Sequence, residues 1–277
     1  NLINFPMNKQ IIDAYGILLL TGFSFLLACN QIIVKLTISG FQPVFSASLR
    51  SLLASLFLCL FMYLRGVPLL PKRGNVKSAI LLGFLFAIEF LLLFEALDRT
   101  TVSRASIMFY TMPVWLAIAG HFLLPNEKLS YVRCIGLALA VTGVIFAFFD
   151  FNLKHGHASL IGDLFAIGAS IMWAGIALCA RLTGISQEKP ETQLLMQLII
   201  SAPLLFAASF LFGPFIRDLS LTHWSGLICQ SLIASFGFLI WFRLIGVYKT
   251  TAVASFSFLA PILSVFLGWF ILSENAG

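Results

Sequence analysis

Two carboxylates, Glu89 and Glu95, stand in the run FLFAIEFLLLFEALDRTT (84–101), which is otherwise mostly Leu, Phe, Ile and Ala. Six residues apart on a helix, they point roughly 120° from each other. Glu95 has Arg99 at i+4, a favourable order for a helical ion pair, and it reads as a snorkelling or locally paired acid. Glu89 is flanked at i±3 and i±4 by Leu85, Phe86, Leu92 and Leu93. An ionised acid in the middle of an apolar span costs about 2.5–3.5 kcal/mol on insertion scales, so Glu89 must face the protein interior, neutral or partnered. Arg50, inside the run 43–64, is the obvious partner. Three readings stand open: a structural ion pair, a cavity-lining pair that meets the two charges of a zwitterion, or a proton-coupling Glu89.

A second set of polar and aromatic residues lies on a helical stripe. Ser103, Ser106, Tyr110 and Pro113 sit at i, i+3, i+7 and i+10, one face. Laying Pro261 over Pro113 gives Thr251, Ala254, Phe258 and Pro261 late in the chain. Both stretches carry small or hydroxylic residues, an aromatic, then a proline. Small residues permit close helix packing; the other reading is a face turned to a shared cavity. Each proline frees a backbone carbonyl and permits a bend. Asn30 either bonds a neighbouring helix or contacts a ligand. Trp173 sits in mid-span, away from the interfacial belts where Trp gathers, and is core or a stacking wall. Gln193 and Gln197 are weaker candidates.

The elements that position these residues are membrane spans. Of the 277 residues, 60% are apolar and 10% charged, against roughly 25% charged in a soluble chain. Apolar runs of about 20 residues, enough to cross a bilayer, recur at 14–38, 43–64, 78–97, 101–124, 131–149, 159–182, 191–212, 224–244 and 250–272. They must be helices, because open strand edges leave backbone groups unpaired in lipid. The net charge of +6 follows topology rather than nucleic-acid binding. With the N-terminus cytoplasmic, Lys9, Arg65, Lys72, Arg73, Lys77, Lys128, Arg133, Arg181, Lys189, Arg243 and Lys249 fall inside, and only Lys35, Arg99, Arg104, Lys154 and Arg217 outside, the expected bias. The five cysteines fall within spans and form no CxxC, so neither a disulfide framework nor a zinc pattern is indicated. No HExxH, GxSxG or nucleotide-binding loop is present, which argues against an intramembrane enzyme, an ATP-driven pump and a bound cofactor.

The chain also repeats itself. YGILLLTGFSFLLACNQIIVKLT (15–37) lies over IGDLFAIGASIMWAGIALCARLT (161–183) without gaps, matching Gly16 with Gly162, Gly22 with Gly168, Ser24 with Ser170 and Lys35 with Arg181. ALDRTT (96–101) matches GVYKTT (246–251). An odd number of spans per copy would invert the second copy, a plan common in secondary transporters, which place the site between the halves near the midplane.

These paired K/R-L-T ends, the R/K-T-T turns, the central prolines and the Glu-containing turns after them (FLLPNEKLS, FILSENAG) resemble the drug/metabolite transporter superfamily, and more closely its EamA-type branch of bacterial amino-acid and metabolite exporters. The resemblance implies an all-α integral membrane protein of two inverted five-helix repeats, with a central cavity lined by helices 1–4 and 6–9. Residues 1–13 form an N-terminal cytoplasmic segment, 14–149 the first repeat, 150–158 a linker, and 159–277 the second repeat, whose tenth helix is expected but absent from the sequence. It further implies a multi-pass protein of the bacterial inner membrane, exporting small amphipathic metabolites such as amino acids by alternating access, with a proton as a further partner if Glu89 couples to one. Asn30, Arg50, Glu89 and Ser106 would meet polar groups. Tyr110, Trp173 and Phe258 would meet apolar ones, and Pro113 and Pro261 would bend. A passive channel is the nearer alternative and an intramembrane enzyme the more distant one. Gly136 and Ala140 give a small-xxx-small spacing suited to helix packing.

Overall fold

The computed structural model describes residues 13–123, 129, 131–148, 159–240, 244, 256 and 259–273. Ten α-helices are found among them: α1 (Ala14–Thr37), α2 (Pro43–Arg65), α3 (Val76–Arg99), α4 (Val102–Phe109), α5 (Met112–Leu123), α6 (Tyr131–Phe148), α7 (Leu160–Leu182), α8 (Pro190–Ser209), α9 (Leu221–Leu232) and α10 (Leu259–Leu272). Their ends follow local rules. Asp13 caps α1 by accepting from Gly16 N at 2.9 Å. Pro43 opens α2, where a missing N–H costs nothing, while Gln42 Oε1 accepts from Phe45 N at 2.6 Å. Gly66 closes α2 at φ 62°, the left-handed position glycine favours. Thr101 caps α4.

Seven helical segments are long and apolar enough to cross a membrane, with α4 and α5 counted as one and α9 continuing to Ile240. They coincide with seven of the nine expected spans. The other two expected spans meet α6, which packs on α4 and α5, and the 14-residue apolar α10, which packs on α1 and α4.

One departure is clear. The span expected over 101–124, with Pro113 permitting a bend, is interrupted at Tyr110–Thr111. Pro113, the second residue of α5, explains the break. It has no N–H for the Phe109 carbonyl, and its ring clashes with that same carbonyl. The stripe Ser103–Ser106–Tyr110–Pro113 therefore does not extend as one helical face beyond Tyr110.

Several helices run antiparallel to one another. Thr100 links two of them at one rim. Its carbonyl accepts from Lys35 Nζ near the end of α1 at 2.9 Å, and its hydroxyl donates to Asp163 near the start of α7 at 3.0 Å. The C-terminal end of α1 and the N-terminal end of α7 thus share a rim, so these two helices run in opposite directions. Helix α3 also runs against α7. Gly162 packs on Arg99 and Thr100, Gly168 on Leu92 and Gly175 on Leu85, so the α7 residue numbers rise as those of α3 fall. At the opposite rim, Glu188 accepts from Asn75 Nδ2 at 2.6 Å and from Lys72 N at 3.0 Å, and Thr192 Oγ1 donates to Pro68 O at 2.8 Å.

Helices α2 and α8 make a third antiparallel pair. Gln42 Nε2 donates to Ser209 O at 2.6 Å and Ser48 Oγ to Ala202 O at 2.8 Å. Gly83 brings α3 against α8 so tightly that an added Cβ would lie 2.5 Å from Ile200 Cβ. The core is built from Ala, Leu and Phe of α1, α2, α3, α4, α7 and α8.

Candidate functional site

Arg50 is the largest side chain that is fully buried. It forms no close ion pair with Glu89, although the two groups lie near enough for their charges to attract each other. Its guanidinium carbon stands 3.7 Å above the centre of the Phe90 ring and 5.3 Å from that of Phe94. A desolvated cation on an aromatic face gains about 2 kcal/mol, far short of the cost of taking an ion out of water. Among the described residues, its Nε and Nη2 are buried without a hydrogen-bond partner.

The helical faces explain the missing ion pair. Leu85, Glu89 and Leu92 lie at i, i+4 and i+7, one face of α3. Leu85 and Leu92 pack on Gly175 and Gly168 of α7. Glu89 therefore leaves α3 on its α7 side, while Phe90, one residue on, carries Arg50. Glu89 is 4% exposed and makes no hydrogen bond or ion pair among the described residues.

The broken helix gathers a second group. Phe109 stacks on Trp173 of α7 (centroids 4.9 Å apart, planes at 12°), and Tyr110 meets the same indole edge-on at 5.9 Å. Tyr110 and Trp173, both expected from the sequence, are thus in contact. Thr111 bridges the break: its hydroxyl bonds the Met108 carbonyl at 2.6 Å, lies 2.8 Å from Ser170 Oγ and receives Trp115 Nε1 at 3.1 Å. An interrupted helix at membrane depth is tolerated only where neighbouring groups satisfy the freed backbone, and Thr111 is part of that repair.

The remaining expected residues fall as follows. Ser106 Oγ and Asn30 Oδ1 are buried without a partner. Pro261 is the third residue of α10. Phe258, with Thr251 and Ala254 of its stripe, lies outside the described residues. Gln193 and Gln197 bond backbone carbonyls of Glu188 and Gln193 and serve the helix end. The i,i+4 pair is as read: Arg99 Nη2 lies 2.7 Å from Glu95 Oε2.

Three residues were missed. Asp163, fully buried, takes Arg104 Nη2 at 2.5 Å and Nε at 3.1 Å; its signal was an acid in the first turn of an apolar span. Thr111 carried no sequence signal. Gln230, fully buried in α9, has neither amide atom bonded; a lone Gln inside the run 224–244 was the clue. At the Thr100 rim, Arg217 also forms two bonds to Asp98, at 2.6 and 2.9 Å, and that carboxylate holds the guanidinium above its usual pKa.

A polytopic helical membrane protein with a buried guanidinium that lacks hydrogen-bond partners at two nitrogens, orphaned amides and an aromatic wall beside a broken helix holds polar groups at membrane depth. Comparison with known proteins identifies its class. The model of the EamA-like transporter family matches residues 14–149 and 160–277; the chain belongs to that family and is a transporter. It is 24% identical over 273 residues to the uncharacterized transporter YoaV of Bacillus subtilis (strain 168), covering 97% of this chain and 90% of the relative. It is 24% identical over 263 residues to a probable amino-acid metabolite efflux pump of Escherichia coli (strain K12), covering 89% and 83%. A similar pump of Salmonella typhimurium is 25% identical over 264 residues, again covering 89% and 83%. A solved crystal structure shares the fold at a TM-score of 0.68 and 17% identity, over 94% of this chain and 88% of its own.

Proposed function

We propose that the protein is a secondary transporter exporting small amphipathic metabolites, amino acids foremost, by alternating access. Arg50 carries the reading. A fully buried guanidinium with two nitrogens lacking hydrogen-bond partners among the described residues is a ready seat for a carboxylate, and a charge-assisted bond there gains about twice what a neutral one does. Tyr110, Phe109 and Trp173 form an aromatic surface for an apolar side chain, with Phe258 expected beside them. Asn30 and Ser106 supply the remaining polar groups of a pocket that is otherwise apolar, as such sites usually are. Relatives described as probable amino-acid metabolite efflux pumps support the same substrate class.

The alternating mechanism rests on an inverted repeat. Helices α1 and α7, which the sequence overlays, run in opposite directions, as two inverted five-helix copies over 14–149 and 159–277 require. Helices α6 and α10 complete nine spans in this reading. The break at Tyr110–Thr111 and the π-helical turn at Ile233–Gly237 supply bending points of the kind often found at functional sites, with Pro113 and Pro261 the residues that allow a bend. The positive-inside bias places the Glu188 rim in the cytoplasm and the Thr100 rim outside.

Counterflow in proteoliposomes tests the proposal. Saturable, substrate-accelerated exchange of labelled L-leucine is the expected result. Flux that is linear in concentration, with no acceleration from the opposite side, would show a channel instead.

A further inference from the structure

The cation Arg50 leaves a question: what meets the opposite charge of a zwitterion? Glu89 is the natural candidate by charge, but it leaves α3 toward α7. The structure offers another set of acceptors. Among the described residues, Asn30 Oδ1, Gln31 Oε1 and Gln230 Oε1 are all buried without a donor, and Gln230 Nε2 is buried without an acceptor. Gln31 is 4% exposed and Gln230 is fully buried.

These amides sit at one level beside Arg50. Helix α9 packs on α1 at two places. A Cβ on Gly226 would lie 2.4 Å from Thr37 Oγ1 and 3.7 Å from Ile33; one on Gly237 would lie 3.3 Å from Leu26 and 3.9 Å from Phe23. Residues 23, 26, 33 and 37 therefore define the face of α1 turned to α9. Asn30 belongs to that face, at 26+4 and 33−3. Gln230 lies between the two contacts, four residues after Gly226, which sets it beside the turn Asn30–Ile33. It also belongs to the buried stripe Leu227–Gln230–Ser231–Ala234 of α9.

Two ring contacts fix the level on α2. Phe41 meets Trp224 at 5.1 Å and Phe61 meets Phe236 at 5.8 Å. Gln230 is midway between Trp224 and Phe236, and residue 51 is midway between Phe41 and Phe61. Arg50 is eleven residues, about three turns, before Phe61, so it rises from the α2 face that meets α9. The α2 side thus carries a buried guanidinium with two nitrogens lacking a hydrogen-bond partner among the described residues, the α1–α9 contact carries the orphaned amide oxygens of Asn30 and Gln230, and Gln31 follows Asn30 about 100° further round α1.

We propose that Asn30, Gln31 and Gln230 form the cradle for the ammonium group of a zwitterionic substrate whose carboxylate binds Arg50, and that Glu89 has no part in holding that ammonium. Three acceptors match the three N–H donors of an ammonium group. The inference rests on the carrier reading above and adds to it which residues recognise which end.

The test uses the full-length protein in proteoliposomes, with labelled L-leucine for counterflow and 4-methylpentanoate, which is leucine without its ammonium, as competitor. Wild type should favour leucine at least tenfold, the size of one hydrogen bond to a charged group. In Gln230→Leu the KM for leucine should rise at least tenfold while inhibition by 4-methylpentanoate changes less than threefold. Asn30→Leu, on the other helix, should change the two in the same unequal way, so a folding failure in one variant leaves the other to decide. Glu89→Gln should keep the wild-type preference for leucine. A Gln230→Leu protein that loses both ligands equally, or a Glu89→Gln protein that loses the preference, overturns the assignment and leaves the carrier intact. Absence of leucine counterflow by wild type sinks both readings.

Discussion

Removing the carboxylate of Asp163 should weaken the fold more than any other single change at the Thr100 rim. Asp163 is fully buried and accepts from Arg104 Nη2 and Nε and from Thr100 Oγ1. It joins the start of α7 to the corner between α3 and α4. Breaking a buried pair by deleting one partner costs about 3–5 kcal/mol, chiefly through the charge left behind. The Arg104 side chain is 16% exposed and regains some hydration, which points to the lower end, about 3 kcal/mol. For a chain of this size each kcal/mol moves the midpoint by roughly 2–4 °C, so Asp163→Ala should melt about 6–12 °C below wild type in detergent. The double variant Asp163→Leu with Arg104→Leu should recover most of that loss, because an apolar pair of similar volume removes the stranded charge. Thermal melts at several scan rates, to allow for irreversible unfolding, give the comparison. If the single variant melts with wild type, or the double variant melts as low as the single, the pair does not hold this corner.

Further outcomes follow from the packing and the rims. Gly83→Ala should destabilise by about 1–3 kcal/mol through overpacking, and Ile200→Ala should not rescue it, because the 2.5 Å clash is with Ile200 Cβ, which alanine keeps; full rescue would refute the contact. Glu188 lies in the loop before α8, where bonds from Asn75 and then Lys72 hold its carboxyl below the ordinary carboxylate pKa. Because the folded pKa is the lower one, the clasp contributes fully above the ordinary carboxylate range and is lost as pH falls through the folded value. Glu188→Gln should accordingly flatten that part of the acid limb in a stability-against-pH series, and an unchanged limb would contradict the assignment. The exposed Arg217–Asp98 pair should matter little: Asp98→Asn is expected to cost less than about 1 kcal/mol by thermal melt, and a larger loss would point to a role beyond the rim.

Much of the architecture was legible because lipid forces it. Seven expected spans appear as helices since an apolar run of span length has no other way to satisfy its backbone. The Glu95–Arg99 pair was readable because i,i+4 contacts are local. What failed was long-range direction. Arg50 and Glu89 attract each other across neighbouring spans, yet they do not close into an ion pair: Glu89 shares the α7-facing side of Leu85 and Leu92, while the guanidinium rests on Phe90. Nothing in composition reveals which face of α3 meets which helix. The break before Pro113 was read only as a bend, because the sequence does not show whether neighbours such as Thr111 will rebuild the interrupted turn. Gln230 was passed over since one amide in an apolar run looks like a helix–helix contact until its atoms are seen without partners.

The claim that most depends on measurement is that Arg50 seats the substrate carboxylate. Counterflow by Arg50→Gln, with L-leucine and with isoamylamine, a leucine analogue lacking the carboxylate, as competing ligands, tests it directly. The account predicts that leucine's KM rises at least tenfold while inhibition by isoamylamine stays within threefold of wild type, the loss of one charged hydrogen-bonding partner. Leucine exchange at the wild-type KM in a correctly folded Arg50→Gln protein would contradict it.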